Sequence, residues 1–488
     1  MMMRATFFIL IVSCVAFVFC DKNAKIVIVG AGAAGTAAAS KLLENGFTNV
    51  TILEAQDRIG GRVWTTKLGE YWADMGGQWV HGDINNVVFD MANPLGLVQK
   101  STGNISFHKM YSSSGPDISK EIATKAAQIF LPEDEEIDLK SLTTGSIGEY
   151  FVNRFNEFFK AHPEIPAKQH QSILNALNLL IMTGDAANSW FDVSARAIKE
   201  YGEVGDQRVN WKDKGYSTIL DILMKKIPDP SKELPVINNT IFNSQVTKIN
   251  YENDGAVKLS TSNGNKYEAD HVIFTCSLGV LKADFEKIFT PSLPEKKINA
   301  IKYLGFGHVA KIFLLYDEPW WELDSYFLKV FLWSDEDRAE LEKDPERKWM
   351  LGLTYAIPVE HKPKLFCLWL ASDYSTEMEK IPDELFKNQT IGLVNRFFGR
   401  DYNITLPNEI RRTMWNTNPN IRGTYSYHSI ESDKLNAKNE DLEEPIMKNN
   451  KPIIQFAGEA TEPYQYGTVH AAIKSGFREA DRLMKSIK

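Results

Sequence analysis

The run KIVIV at residues 25–29, followed at once by Gly30-Ala31-Gly32-Ala33-Ala34-Gly35, constrains this chain more than any other feature. A short β-branched run suits a parallel strand buried on both faces. The glycines lead into a helical stretch at residues 36–44, which Asn45-Gly46 stops. A second strand is expected at residues 50–53, and it ends in Glu54, an acid nineteen residues after Gly35. The pieces make a β-α-β unit. A GxGxxG alone is a weak signal, because glycines in a tight turn can serve structure only. Between a strand and a helix it has a specific use. Gly32 lets the backbone approach a pyrophosphate, the helix N-terminus offers free N–H groups, and Glu54 accepts from ribose hydroxyls. The spacing therefore predicts a dinucleotide site with Gly30, Gly32, Gly35 and Glu54 as contacts.

At 488 residues the chain is too long for one simple core, and two or three domains are expected. Its 43% hydrophobic and 24% charged content excludes disorder. A formal charge of -8 argues against nucleic-acid binding and favours small cations. Helical periodicity marks residues 146–160 and 169–182, separated by Pro163 and Pro166. Strands are expected at 236–251, 256–261, 271–275, 309–316 and 365–371, with a helix at 384–398. A strand at 453–456 and a helix from 468 to 484 close the chain. Nucleotide-type units at both ends predict one domain assembled from distant pieces, with a second inserted between them.

The N-terminus carries one basic residue, Arg4, then sixteen mostly apolar residues at 5–20. A membrane span usually needs about 20 apolar residues, so this reads as a signal peptide cleaved after Cys20 rather than an uncleaved anchor. Secretion without stable membrane association is the expectation. The mature chain then keeps Cys276 and Cys367, whose pairing stays open. Sequons at Asn49, Asn104, Asn238, Asn388 and Asn403 are glycan acceptors in a secreted protein. Residues 485–488 spell no peroxisomal or ER-retention address. The nine histidines show no HExxH or paired CxxC spacing, so no metal is expected.

From Glu54 to Arg62 (EAQDRIGGR) the sequence resembles the flavin amine oxidase family. The resemblance continues at Gly76-Gly77-Gln78-Trp79-Val80-His81-Gly82, at residues 274–282 and at Lys311-Ile312-Phe313. It closes with Trp415, Gly423-Thr424-Tyr425-Ser426-Tyr427 and residues 456–461 (FAGEAT). It implies an α/β fold whose Rossmann-like FAD-binding domain draws on residues 21–100, 206–290 and 415–488. A mixed-sheet α+β substrate domain flanked by helices would take 101–205 and 291–414. The nucleotide would be FAD, held non-covalently, since residues 458–470 lack the cysteine that covalent members use. Gly77, Gln78, Trp79, Trp415, Thr468 and Val469 fall on cofactor-contacting motifs. Arg62 matches a residue at the flavin's phosphate and ring region, Val246 one at the adenine, and Glu459 an acid beside the ribityl-pyrophosphate segment.

Lys311 carries the strongest catalytic expectation. In an alternating strand it shares a face with Val309, Phe313 and Leu315. An ammonium there is costly unless partnered, and burial lowers its pKa. The resemblance implies a lysine that holds a water against the flavin and assists reoxidation by oxygen; a snorkelling lysine at a strand edge is the plain alternative. His81 matches a histidine of animal spermine and acetylpolyamine oxidases, where an imidazole can hydrogen-bond an amine. Tyr425 and Tyr427 match an aromatic wall beside the flavin. Thr468 stands where monoamine oxidases and plant polyamine oxidases have a tyrosine. Glu203 and Asp206 are expected anchors for a distal ammonium.

The resemblance thus implies a secreted polyamine oxidase using O2 on spermine, spermidine or their acetyl derivatives, with His81 and Thr468 favouring the exo side of the secondary amine. An L-amino-acid oxidase is a rival with the same implied fold, but no Arg stands in the place the resemblance expects after Gly76-Gly77 to clamp a carboxylate. A non-catalytic polyamine-binding protein on the same scaffold is another. Intact glycines, Glu54, Lys311 and Glu459 speak against it.

Overall fold

The strand Ile26–Val29 is buried along its whole length and lies inside a six-stranded sheet. Val50–Leu53 and His271–Phe274 flank it in parallel register, Ile26 standing opposite both Val50 and His271. Thr240–Ile241 and Lys451–Phe456 extend the parallel set on either side, and the edge strand Ile446–Lys448 runs antiparallel. The computed structural model describes residues 21–102, 106–107, 109–130, 143–202, 205–323 and 326–487. Residues 1–20 with the expected signal peptide, the sequon residue Asn104, and Glu203 lie outside the described residues.

The helix Ala33–Glu44 begins in the glycine loop itself, with Gly32 as its N-cap residue, three residues earlier than expected. Its alanine face packs with Ile473, Ala480 and Leu483 of the last helix, Val469–Ser486. The two backbones come very close, for a Cβ on Gly476 would stand 2.2 Å from the Ala34 carbonyl oxygen. Small residues on both helices permit that crossing.

A second six-stranded sheet orders Glu409–Arg412, Val309–Leu315, Leu365–Ala371, Leu353–Pro358, Lys329–Leu332 and Met110–Ser112. It is antiparallel except for the last pair. Alternation along Val309–Leu315 sorts its two faces. Val309 and Phe313 join the core built with the helices Ile147–Ala161 and Ala167–Asp185, whereas Ile312 and Leu314 pack with the helix Asp383–Phe398. A four-stranded sheet of Lys266–Ala269, Val257–Thr261, Val246–Asn250 and Phe289–Thr290 lies against the parallel sheet.

One expected strand is corrected. Residues 236–251 are not continuous: Thr240–Ile241 and Val246–Asn250 belong to different sheets. Asn243 between them adopts φ 53°, a left-handed turn that asparagine tolerates better than other side-chain-bearing residues. The cysteine question is settled as well, since Cys276 and Cys367 are both free.

Candidate active site

A single cavity of about 1010 Å³ runs from the glycine loop to the second sheet. Gly30, Gly32, Glu54 and Val246 line one end, while Lys311, Trp369, His81 and Tyr425 line the other. At Gly32 an added Cβ would meet no atom within 4 Å, and the same holds at Gly458. The backbone is therefore bare toward the cavity at both places. The helix starting at Ala33 has no side-chain cap and no acid in its first turn, leaving its positive end open to a phosphate. Gly35 does different work and lies off the lining: a Cβ there would stand 1.9 Å from the Gly30 carbonyl oxygen. Glu54 is buried, and its two oxygens accept from Ala31 N at 2.7 Å and Gln56 N at 2.8 Å. Each oxygen keeps a lone pair for a ribose hydroxyl. Burial raises its pKa, and these hydrogen bonds and Arg58 oppose the rise. The residues present fit a dinucleotide.

Farther along, the turn at Gly60-Gly61 leans on the glycine loop, Gly60 N donating to Ala31 O at 2.7 Å. It delivers Arg62, whose Nη1 donates to Glu459 Oε1 at 2.9 Å and to the Thr424 carbonyl. Glu459 Oε2 in turn accepts from Ser426 Oγ at 2.6 Å and Gly467 N at 2.8 Å. Three stretches, around residues 62, 426 and 459–467, thus meet at one carboxylate on the lining. Trp415, buried, donates Nε1 to Met75 O at 3.0 Å and fixes the segment entering Gly76-Gly77. Gly77, Gln78, Trp79 and Val469 all line the cavity.

Lys311 lies on an inner strand at 4% exposure, which excludes the snorkelling reading. Its Nζ donates to the Asp74 carbonyl, to Gly76 O at 2.8 Å and to Gln78 Oε1 at 3.2 Å. It also lies 5.2 Å from the centre of the Trp369 ring. Burial pushes the ammonium down to about 8, with nearby Asp74 pulling the other way. Trp369 stands directly opposite Lys311 in the strand register and is stacked between Trp79 at 5.7 Å and Tyr355 at 5.8 Å. This three-ring wall was not legible in the sequence.

His81 lies on the lining with accessible surface, while the protein packed around it pushes its imidazole below the usual histidine range. A hydrogen bond to the Gln207 backbone opposes that shift. Behind it stands a histidine that the motifs did not reveal. Asn86 Oδ1 caps a helix by accepting from Val88 N at 2.9 Å, so its amide nitrogen must be the group 2.7 Å from His81 O and 3.2 Å from His470 Nδ1. Nδ1 of His470 therefore accepts, and its hydrogen sits on Nε2, facing Thr468 Oγ1 at 3.2 Å. Burial, with the charges of His81 and Lys474, pushes His470 down to about 3. Thr468 lines the cavity, but its hydroxyl donates to Gln465 O at 2.8 Å and accepts from Ala471 N at 3.2 Å as a helix cap. It shapes the wall more than it offers a free hydrogen bond.

Two expected substrate contacts are corrected. Tyr427 does not line the cavity; its ring lies over Gly305, where a Cβ would come within 2.3 Å of it. Asp206 is also off the lining, and its Oδ1 accepts from Arg208 N at 3.0 Å in a local turn. Tyr425 does line it, with its hydroxyl donated to the Thr183 carbonyl. Asp185, Tyr201 and Tyr466 line it too and were missed, because nothing in their spacing ties them to a motif. Among the described residues, no group of three His, Cys, Asp or Glu could hold a metal ion. Among them, also, no helix is long and apolar enough to cross a membrane.

Comparison with known proteins agrees with this geometry. The model of the flavin containing amine oxidoreductases matches residues 33–484. A peroxisomal N(1)-acetyl-spermine/spermidine oxidase of Bos taurus is 28% identical, over 95% of this chain and 95% of its own. The probable polyamine oxidase 5 of Arabidopsis thaliana is 27% identical, over 96% of this chain and 99% of its own. Among solved structures, wild-type putrescine oxidase bound to putrescine superposes with a TM-score of 0.64 at 18% identity, covering 95% of this chain and 99% of that one. With a glycine cradle at one end of its cavity, a buried lysine at the other and a family match across nearly its whole length, the chain belongs to the flavin containing amine oxidoreductases and is an FAD-dependent amine oxidase.

Proposed function

We propose that this chain is a secreted polyamine oxidase that takes spermine, spermidine or their N-acetyl derivatives and cleaves on the exo side of a secondary amine. The observation that carries the reading is the continuity of one cavity from the cradle of Gly32 to Lys311, His81 and an aromatic wall. Aromatic faces and an acidic protein suit an alkylammonium chain. The names of the bovine and Arabidopsis relatives support the same class.

FAD, when bound and non-covalent, supplies the two-electron acceptor for the carbon–hydrogen bond beside the nitrogen. In the balance, the amine loses two electrons and two protons to become an imine. Water adds across the C=N bond and releases an aldehyde and a shorter amine, and O2 takes the two electrons and two protons to leave as hydrogen peroxide. The residues supply alignment and proton handling. His81, held below its usual pKa, is neutral at neutral pH and accepts a hydrogen bond without repelling a cationic substrate. Lys311, near 8, is poised to exchange a proton at Nζ, and a water held there would replace its longest contact, Gln78 Oε1. Arg62 and Glu459 fix the segments that present Thr424 to Ser426.

Secretion rests on the apolar leader at residues 5–20, although the bovine relative is named peroxisomal. The test pairs two assays. Purified protein is expected to be yellow and to release peroxide with at least one of spermine, spermidine and their acetylated forms, but not with L-amino acids. Expressed with its own leader, it is expected in the medium with Asp21 as its first residue. Activity with amino acids alone, or retention in the cell with the leader intact, overturns the corresponding half.

A further inference from the structure

Lys311 takes its hydrogen-bond acceptors from one short segment. The Asp74 carbonyl, Gly76 O at 2.8 Å and Gln78 Oε1 at 3.2 Å all belong to residues 74–78. Whatever holds that segment therefore sets the place of the ammonium. Its backbone donors turn the other way, Met75 N donating to Trp64 O at 2.9 Å and Gly77 N to Arg62 O at 3.3 Å. A Cβ on Gly76 would stand 1.7 Å from the Arg62 carbonyl oxygen, so the two stretches lie in close contact.

The side chain of Asp74 anchors the segment at its start. Asp74 ends the strand Tyr71–Asp74, stands opposite Thr65 in a hairpin, and is buried. Its Oδ1 accepts from Thr65 Oγ1 at 2.6 Å and from Tyr216 N at 2.8 Å, and Ser217 N donates to the same Thr65 hydroxyl at 3.0 Å. Gly215 turns at φ 72°, and a Cβ there would stand 2.6 Å from Asp74 Oδ1. Asp74 is off the cavity lining, so any effect it has on the chemistry passes through Lys311. A second buried lysine belongs to the same surroundings. Lys362 lies in the turn between Leu353–Pro358 and Leu365–Ala371, where its N donates to Val359 O at 3.0 Å and its O accepts from Leu365 N at 2.9 Å.

The two act on Lys311 with opposite signs: Asp74 favours the charged ammonium, and Lys362 disfavours it. The field of Lys362 and the donors Thr65 and Tyr216 N favour the charged form of Asp74 in turn, against its burial. The other titratable groups nearby are spoken for. Cys367 faces Lys311 from the neighbouring strand, its thiol pushed up to about 12 by burial, and buried Tyr355 is held as a neutral phenol. Arg411, opposite Phe313 in the strand register, is paired with Glu409. Tyr216 faces Asp74, and Asp213 faces Lys362. We propose that Asp74 and Lys362 are positioning residues for Lys311, Asp74 as its buried counter-charge and Lys362 as the cation that opposes it. The proposal rests on the assignment of Lys311 to reoxidation and needs no particular amine.

The test uses the FAD-loaded enzyme, reduced with dithionite and mixed with O2 in a stopped-flow instrument across a range of pH, with no amine present. The wild-type reoxidation rate is expected to change with an inflection near pH 8 that Lys311→Met lacks. Asp74→Asn keeps an oxygen for Thr65 and Tyr216 N and removes the negative charge, so Lys311 loses its proton more easily. The inflection is then expected to move down by about one pH unit. Lys362→Met removes the opposing cation and is expected to move it up by a similar amount. A loosened structure would not move the two variants in opposite directions. An inflection that both variants leave in place, or that both move the same way, overturns the proposal while Lys311 keeps its role. An inflection that survives in Lys311→Met overturns the role and the proposal together. Where Asp74→Asn fails to fold, Lys362→Met decides alone, and the absence of an upward shift overturns the proposal.

Discussion

The two ends of the cavity are built by different means. The nucleotide end is built largely on local backbone, with Gly30, Gly32 and an uncapped helix start followed by Glu54 just after the next strand, all within thirty residues, and Val246 and Gly458 join it from farther along the chain. The amine end is made of side chains from separate elements, with Lys311 and Trp369 on neighbouring strands, His81 after a short strand, Asp185 at a helix end and Tyr425 beside a loop. Backbone recognition needs a local conformation, so it leaves a compact motif. Side-chain recognition needs only convergence in space and leaves scattered letters.

The largest effect that sharpens this contrast lies within the glycine motif itself. Gly35→Val is expected to cost about 3 kcal/mol or more of stability, because its Cβ would collide with the Gly30 carbonyl. Gly32→Val, with open space at its Cβ, is expected to fold with near-normal thermal stability and to lose bound FAD. Denaturant midpoints and the ratio of visible to ultraviolet absorbance check both. Equal loss of folding in the two variants would erase the distinction between a packing glycine and a ligand glycine.

Lys311→Met keeps most of the side-chain volume and removes the charge. Turnover is expected to fall about a hundredfold with FAD retained, the scale of a lost proton-handling group. Stopped-flow measurement of the reductive and oxidative half-reactions locates the defect, and wild-type rates in both would remove Lys311 from the chemistry.

His470 offers a pH test. Its folded pKa of about 3 lies below the ordinary histidine value of 6.5, so between these values the unfolded chain binds a proton that the folded one does not. Stability attributable to this residue is present above 6.5 and is lost as pH falls toward 3, at roughly 1.4 kcal/mol per pH unit. His470→Gln is therefore expected to flatten the loss of stability between pH 6.5 and pH 5 by about 2 kcal/mol, read from urea midpoints at the two pH values. An unchanged slope would mean that His470 titrates normally.

The smallest effect is expected from Tyr427→Phe. Its ring covers Gly305 outside the cavity lining, so KM and turnover should stay within about twofold of wild type. A large rise in KM would restore Tyr427 to the substrate wall.

These outcomes also mark how far the sequence was legible. Val246, Arg62 and Lys311 were found because each sits in a motif or an alternating strand, and all three line the cavity. Asp206 was chosen as an acid near a motif segment, but a local hydrogen bond to Arg208 N occupies it, and such turn bonding does not show in spacing. Trp369 could not be found, since its place beside Lys311 depends on strands more than fifty residues apart pairing in one register. His470 was hidden for a similar reason, its partner Asn86 being 384 residues away.

By itself, then, the sequence determined the β-α-β unit, its cradle for a dinucleotide and the buried strand that carries Lys311, because each depends on propensities and periodicities within one or two elements. Only the tertiary structure decided what faces Lys311 across the sheet, which acid looks into the amine end and which tyrosine does. Those outcomes follow from strand register and helix docking, which the hydrophobic contacts of the whole chain select together.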